Sequence, residues 1–207
     1  MHVVEAETCK MEMLKSKITS KVPPIQPGEV SNTTSSSLEV SKEMAKELAR
    51  DVVYYFSKTS TNGPCNNHAK TLRRTVDELS RRHEILFTSM VRRLSITEDS
   101  KETCQSFMRV MDEMFIDGHY NWGRVITIYA FAGWLARYCV QNGMVNSVEE
   151  IVTCSGTYVA DKLAQWIQQQ GGWVSRENLC CVCLFETLRD DKMHWVNEER
   201  SKVNRAC

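Results

Sequence analysis

The residues Asn121-Trp122-Gly123-Arg124 come closest to a recognition chemistry. Asn121 stands directly before a long apolar run and is a good helix N-cap, which puts Arg124 in the first helical turn. The helix macrodipole disfavours a cation there. A guanidinium set against local preference, beside surface that must be buried, points to an acidic partner. Gly123 removes a side chain next to it and lets another backbone come close. The same residues allow a second reading, in which Arg124 snorkels out of the fold or pairs internally with Asp77 or Asp117. On these residues alone the two readings stand level.

Catalytic groupings are scarce. The 5 histidines are scattered, and there is no Ser/His/Asp order, Gly-rich phosphate loop or HExxH pair. The chain therefore reads as no enzyme and needs no cofactor. Cys180, Cys181 and Cys183 with His194 have the donor types for zinc, but structural zinc sites space their paired cysteines by about two to four residues. Reduced thiols in a tail are the preferred reading, with no metal. The stretch Met1–Lys21 is mixed and polar, unlike a secretory leader, so the 9 cysteines suggest reduced thiols in an intracellular protein. With 26 basic and 26 acidic residues, nothing points to nucleic acid. No run reaches the roughly 18 apolar residues of a membrane span.

The elements that would position Arg124 are helical. Residues 1–40 read as a disordered tail, because Pro23, Pro24, Pro27 and Gly28 break helices and Ser31–Ser37 is polar. From a cap at Ser41 the residues Met44, Leu48, Val52 and Tyr55 recur at helical spacing until Thr61-Asn62-Gly63-Pro64. A second pattern, continuous or broken once midway, runs Leu72, Val76, Leu79, His83, Leu86, Met90, Leu94. A third runs Cys104, Phe107, Met108, Met111, Met114, Phe115 and stops at Asp117-Gly118. The segment Trp122–Val140 is apolar almost all round, so it belongs at the centre of a bundle. An amphipathic segment from Val148 to Trp166 follows, ended by Gln168–Gly172. The expected fold class is all-α, a central hydrophobic helix at about 122–140 surrounded by amphipathic helices, about seven in all.

The run Phe115-Ile116-Asp117-Gly118-His119-Tyr120-Asn121-Trp122-Gly123-Arg124 resembles the first homology motif of the B-cell lymphoma-2 (Bcl-2) family of apoptosis regulators. Trp166-Ile167-Gln168-Gln169-Gln170-Gly171-Gly172-Trp173 resembles the second. Leu72-Arg73-Arg74-Thr75-Val76-Asp77-Glu78-Leu79 is similar to the third, the death helix, and Lys46–Lys58 to the fourth. Together they set a domain over 41–173. Around Thr71–Arg74, Arg81–Glu84 and Met90–Leu94 the resemblance is strongest to the myeloid-cell-leukaemia type of survival protein.

The resemblance implies a bundle of about eight helices with a groove that captures death helices of pro-apoptotic relatives and so prevents permeabilisation of the mitochondrial outer membrane. In that mode Arg124 pairs with the ligand's Asp and Asn121 bonds nearby. Leu79, Phe87, Met90, Phe107, Val110, Met111, Met114, Thr127, Ile128 and Phe131 match groove positions, joined by Trp122, Gly123 and Trp173. Leu72, Asp77 and Leu79 mark the death-motif-like helix. For any single apolar member plain core packing is the commoner role, while the methionines suit a groove that repacks around its ligands. Thr75 and Val76 depart from the death motif, which favours a receptor of such helices over a killing ligand. A pore-forming killer and a truncated isoform with impaired binding are the alternatives.

After Trp173 the family continues with an acidic residue, aromatics and a membrane anchor. Here Val174-Ser175-Arg176 leads into an unrelated charged stretch. Residues 174–207 therefore read as a divergent, loosely attached tail from a retained intron or alternative exon. The protein is expected to be cytoplasmic, with peripheral association at the mitochondrial outer membrane as its membrane contact.

Overall fold

The computed structural model describes residues 31–94, 96 and 100–173. Contacts separate residues 1–34 from residues 35–207, and the second unit carries the bundle. Among the described residues there are seven α-helices and no strand: α1 (Ser31–Ser57), α2 (Asn67–Arg82), α3 (Glu84–Arg93), α4 (Ser100–Met114), α5 (Trp122–Gln141), α6 (Ser147–Lys162) and α7 (Ala164–Gln169). No helix among them is long and apolar enough to cross a membrane.

The all-α reading holds, and α5 is the buried centre. From Gly123 to Ala136 every residue except Trp134 is buried. Helices α2, α3, α4 and α6 all pack on it. The second sequence pattern is broken midway. His83 leaves helical geometry at φ −122° and ψ 29° and divides α2 from α3. The connection after α4 turns at Gly118, whose φ of +70° is a conformation that other residues adopt only at a cost.

Two expectations need correction. The tail was expected to run to residue 40 with Ser41 as a cap, yet α1 already begins at Ser31 and Ser41 lies in its interior. Partners far along the chain explain the difference. Ser41 Oγ donates to Gln168 Oε1 at 2.8 Å, Gln168 Nε2 donates to Ser37 Oγ, and Trp173 Nε1 donates to the Ser41 carbonyl at 3.1 Å. Such tertiary contacts outweigh the weak helix propensity of a serine run. The thiols were expected to be reduced, yet Cys104 of α4 and Cys154 of α6 form a disulfide, with Cα atoms 6.1 Å apart. A sequence separation of 50 hid the pairing, which appears only once α4 lies on α6. Cys65 and Cys139 are free thiols. Cys180, Cys181, Cys183, His194 and the whole of 174–207 lie outside the described residues.

Helix α1 closes one flank of the bundle at short range. A Cβ on Gly156 of α6 would stand 3.0 Å from the Lys46 Cα and 3.2 Å from the Ala49 Cβ of α1. Because the nearest atom is backbone, the helices must separate to admit a side chain. Gly156→Val should cost about 1–3 kcal/mol of stability through overpacking. Urea denaturation checks this, and an unchanged midpoint would show that α1 is not held so closely.

Candidate functional site

The site is built where α4 hands over to α5. The Asn121 backbone is extended, at φ −152° and ψ 162°, and its Oδ1 accepts from the Arg124 N–H at 2.8 Å, the N-cap expected from sequence. That cap fixes the first turn of α5 and with it the root of Arg124.

The Arg124 guanidinium is turned inward. The residue is 3% exposed, so it does not snorkel out of the fold. Nη1 donates to Asp117 Oδ1 at 2.5 Å and to the His119 carbonyl at 2.8 Å, and Nη2 donates to Asp117 Oδ2 at 2.7 Å. A carboxylate and a guanidinium matched edge to edge form a strong, directional pair. The guanidinium also sits 5.9 Å from the centre of the Phe115 ring. Of the two readings left level above, the structure shows internal pairing, with Asp117 and not Asp77 as the acid.

Asp77 is used elsewhere. It accepts from the Tyr55 hydroxyl at 3.0 Å and tethers α2 to α1. One turn away, Arg73 grips the buried Asp51 of α1 through Nε at 2.6 Å and Nη2 at 2.8 Å. Leu72 and Val76 are fully buried and Leu79 nearly so. The death-motif-like helix is thus packed and bonded into its own fold.

The apolar candidates converge on one cluster. Leu79 of α2, Phe87 and Met90 of α3, Phe107, Met111 and Met114 of α4, and Ile128 and Phe131 of α5 are all buried in it, with Val110 half-buried at its edge. Phe107 stacks on Phe131 with centroids 5.7 Å apart. Thr127 is also buried and donates its hydroxyl to the Gly123 carbonyl at 2.9 Å, so it brings no unmatched polar group to the cluster.

Trp122 and Trp173 fall in a second grouping. A chain of rings runs Phe115, Tyr120, Trp166, Trp122, Trp173, Tyr129, with successive centroids 5.4–6.4 Å apart. It joins the segment before Arg124 to the segment around α7.

The family model for apoptosis regulator proteins of the Bcl-2 family matches residues 72–173, the stretch that holds both the ion pair and the ring chain. The chain belongs to the Bcl-2 family. Bcl-2-like protein 1 of Sus scrofa is 38% identical over 104 residues, covering 50% of this chain and 43% of that protein. The Bcl-2-related ovarian killer protein homolog A of Danio rerio is 31% identical over 142 residues, covering 63% of this chain and 60% of that protein. The chain thus spans about half the length of these curated relatives. Among solved structures, chicken BOK is 28% identical with a TM-score of 0.58, covering 66% of this chain and 93% of that one. The complex of the zebra-fish pro-survival protein NRZ with a Bad BH3 segment has the same fold, at 24% identity and a TM-score of 0.60, covering 67% and 93%.

Sequence reasoning missed several partners within this Bcl-2 fold. The His119 carbonyl and the Phe115 ring hold Arg124, Asp51 holds Arg73, and Gln168 with Ser41 fastens α7 to α1. Only Asp117 carried a readable signal, its fixed spacing ahead of Arg124.

Hydrogen bonding from Arg124, foremost among several effects, holds the Asp117 carboxyl well below the usual carboxylate range. A depressed folded-state pKa means the pair's contribution is present above the unfolded value of about 3.9 and lost as pH falls below it. Asp117→Ala should therefore cost about 1–2 kcal/mol at pH 7, because the Asp117 side chain is 44% exposed and water screens the pair. Denaturant midpoints from pH 7 to pH 2 test this. The gap between wild type and variant should narrow below about pH 4, and a constant gap would show that the carboxylate does not hold Arg124.

Proposed function

We propose that this Bcl-2 family member captures the amphipathic death helix of a pro-apoptotic relative in an apolar groove lined by α2, α3, α4 and α5. The observation that carries the reading is Arg124. It is a buried guanidinium whose present partner, Asp117, is a side chain 44% exposed at the protein surface. An incoming aspartate can share or replace that partner. The phenylalanines and methionines of the neighbouring cluster supply the apolar contacts. These side chains are buried, so a ligand helix enters by repacking them, which unbranched methionines allow at little cost.

The recorded pairing of the similarly folded NRZ with a Bad BH3 segment supports the partner class. The locked death-motif-like helix argues that this chain receives such helices and does not donate its own. We assign it an anti-apoptotic, non-enzymatic role of the myeloid-cell-leukaemia type. It would act from the cytoplasm, peripherally at the mitochondrial outer membrane, by sequestering killers before they permeabilise that membrane. The likeness to ovarian-killer proteins motivates a second reading, a pore former that inserts the Trp122–Trp166 hairpin.

A labelled death-helix peptide separates them. With apolar anchors at i, i+4, i+7 and i+11, each worth about 1.5–3 kcal/mol when buried, it should bind in the nanomolar range, near −12 kcal/mol. Arg124→Ala should weaken binding by about 2–5 kcal/mol. Because Arg124 is buried, the variant's melting curve must be recorded alongside, to keep a folding defect apart from a binding defect. Unchanged affinity would remove Arg124 from the site. Release of liposome contents by the pure protein, unblocked by the peptide, would favour the pore former.

A further inference from the structure

The disulfide lies in a place where its chemistry would be felt. Cys104 sits near the start of α4, and the cluster residues Phe107, Met111 and Met114 follow it along the same helix. Helix α4 packs chiefly on α6, and Cys104–Cys154 is the covalent bond across that contact. The two residues differ in exposure, since Cys154 is 6% exposed whereas Cys104 is half-buried. A small thiol therefore meets Cys104 more readily than Cys154. The remaining free thiols described do not compete for this role. Cys139 is buried in α5, where burial pushes its pKa up to about 11, and Cys65 lies in the connection between α1 and α2.

We propose that Cys104–Cys154 is a thiol–disulfide exchange site that takes a small dithiol as co-reactant and determines how firmly α4 is held on α6. One dithiol sulfur, as thiolate, attacks Cys104 Sγ. An S–S bond forms between them, the Cys104–Cys154 bond breaks, and Cys154 leaves as a thiolate that takes up a proton. The second dithiol sulfur then attacks its partner in the mixed disulfide, releasing Cys104 as a thiol and the reagent as a cyclic disulfide. The protein gains two electrons and two protons, and the dithiol loses the same. Re-oxidation runs the sequence backwards with a small disulfide such as oxidised glutathione. Attack is directed to Cys104 because exchange depends on which sulfur can be reached. The bond closes a loop with a sequence separation of 50 that contains α5, so its loss releases a large constraint.

The test uses the full chain, poised across mixtures of reduced and oxidised dithiothreitol. Alkylation with mass analysis reports the thiols, and amide hydrogen exchange reports the helices. Cys104 and Cys154 should become alkylable together as the mixture grows more reducing. Exchange in α4 should then quicken by about tenfold or more while α5 stays protected. In Cys154→Ser, oxidised glutathione should leave a mixed disulfide on Cys104. The proposal fails if the two thiols alkylate independently across the whole range, or if α4 exchanges equally in both states. Any effect on death-helix capture rests on the groove reading above. The α4 measurement is made without ligand, so its failure is distinct from a failure of peptide binding.

Discussion

Water has to be kept from every side of α5. Its run from Val125 to Ala136 carries no acidic or basic residue, so no rotation gives it a face that prefers solvent. Burying such a helix requires neighbours all round, and α1, α2, α3, α4 and α6 are those neighbours. The cost falls on its N-terminus, where Arg124 enters the same buried zone and must bring a counter-charge. The turn at Gly118 lets the chain double back so that Asp117 can supply it. The ion pair is therefore a consequence of the central helix and of the packing problem it sets.

The chain of aromatic rings answers a related need. Two segments far apart in the chain, one before Arg124 and one around α7, must meet at the same end of the bundle. Rings with centroids 5.4–6.4 Å apart fill the space between them, and Tyr129 anchors the chain in the core, donating its hydroxyl to the Ala45 carbonyl at 3.2 Å. Buried aromatics with a polar tip do this well, since each covers a large area and still finds a hydrogen-bond partner. Trp173 has both properties, stacked among rings and bonded to α1 through its indole nitrogen.

What could be read without coordinates was what depends on local pattern. The period of α2 and α3, the cap at Asn121, the stop at Gly118 and the all-round apolarity of α5 are written in neighbouring residues. What could not be read depends on partners distant in sequence. The early start of α1 rests on Gln168, the fate of Cys104 rests on Cys154, and the burial of Asp51 rests on Arg73 of another helix. The apolar candidates from Leu79 to Phe131 share one cluster while Trp122 and Trp173 lie in the chain of rings, and composition does not distinguish a residue that lines a groove from one that fills a core. Leu79 and Phe107 satisfy both descriptions until a ligand is present.

The fastening of α1 by Gln168 and Trp173 also bears on how the molecule is made. The bonds to Ser37 and Ser41 span separations of 127–132 residues. A ribosome releases the chain from its N-terminus, so Ser37 and Ser41 emerge well before the groups that bond to them have been synthesised. During that interval the serine-rich start of α1 has only its own weak propensity to keep it helical. Joining ends so far apart is entropically slow as well as late. The turns at Ser37 and Ser41 are thus completed only after Gln168 and Trp173 are made, although they are translated long before them.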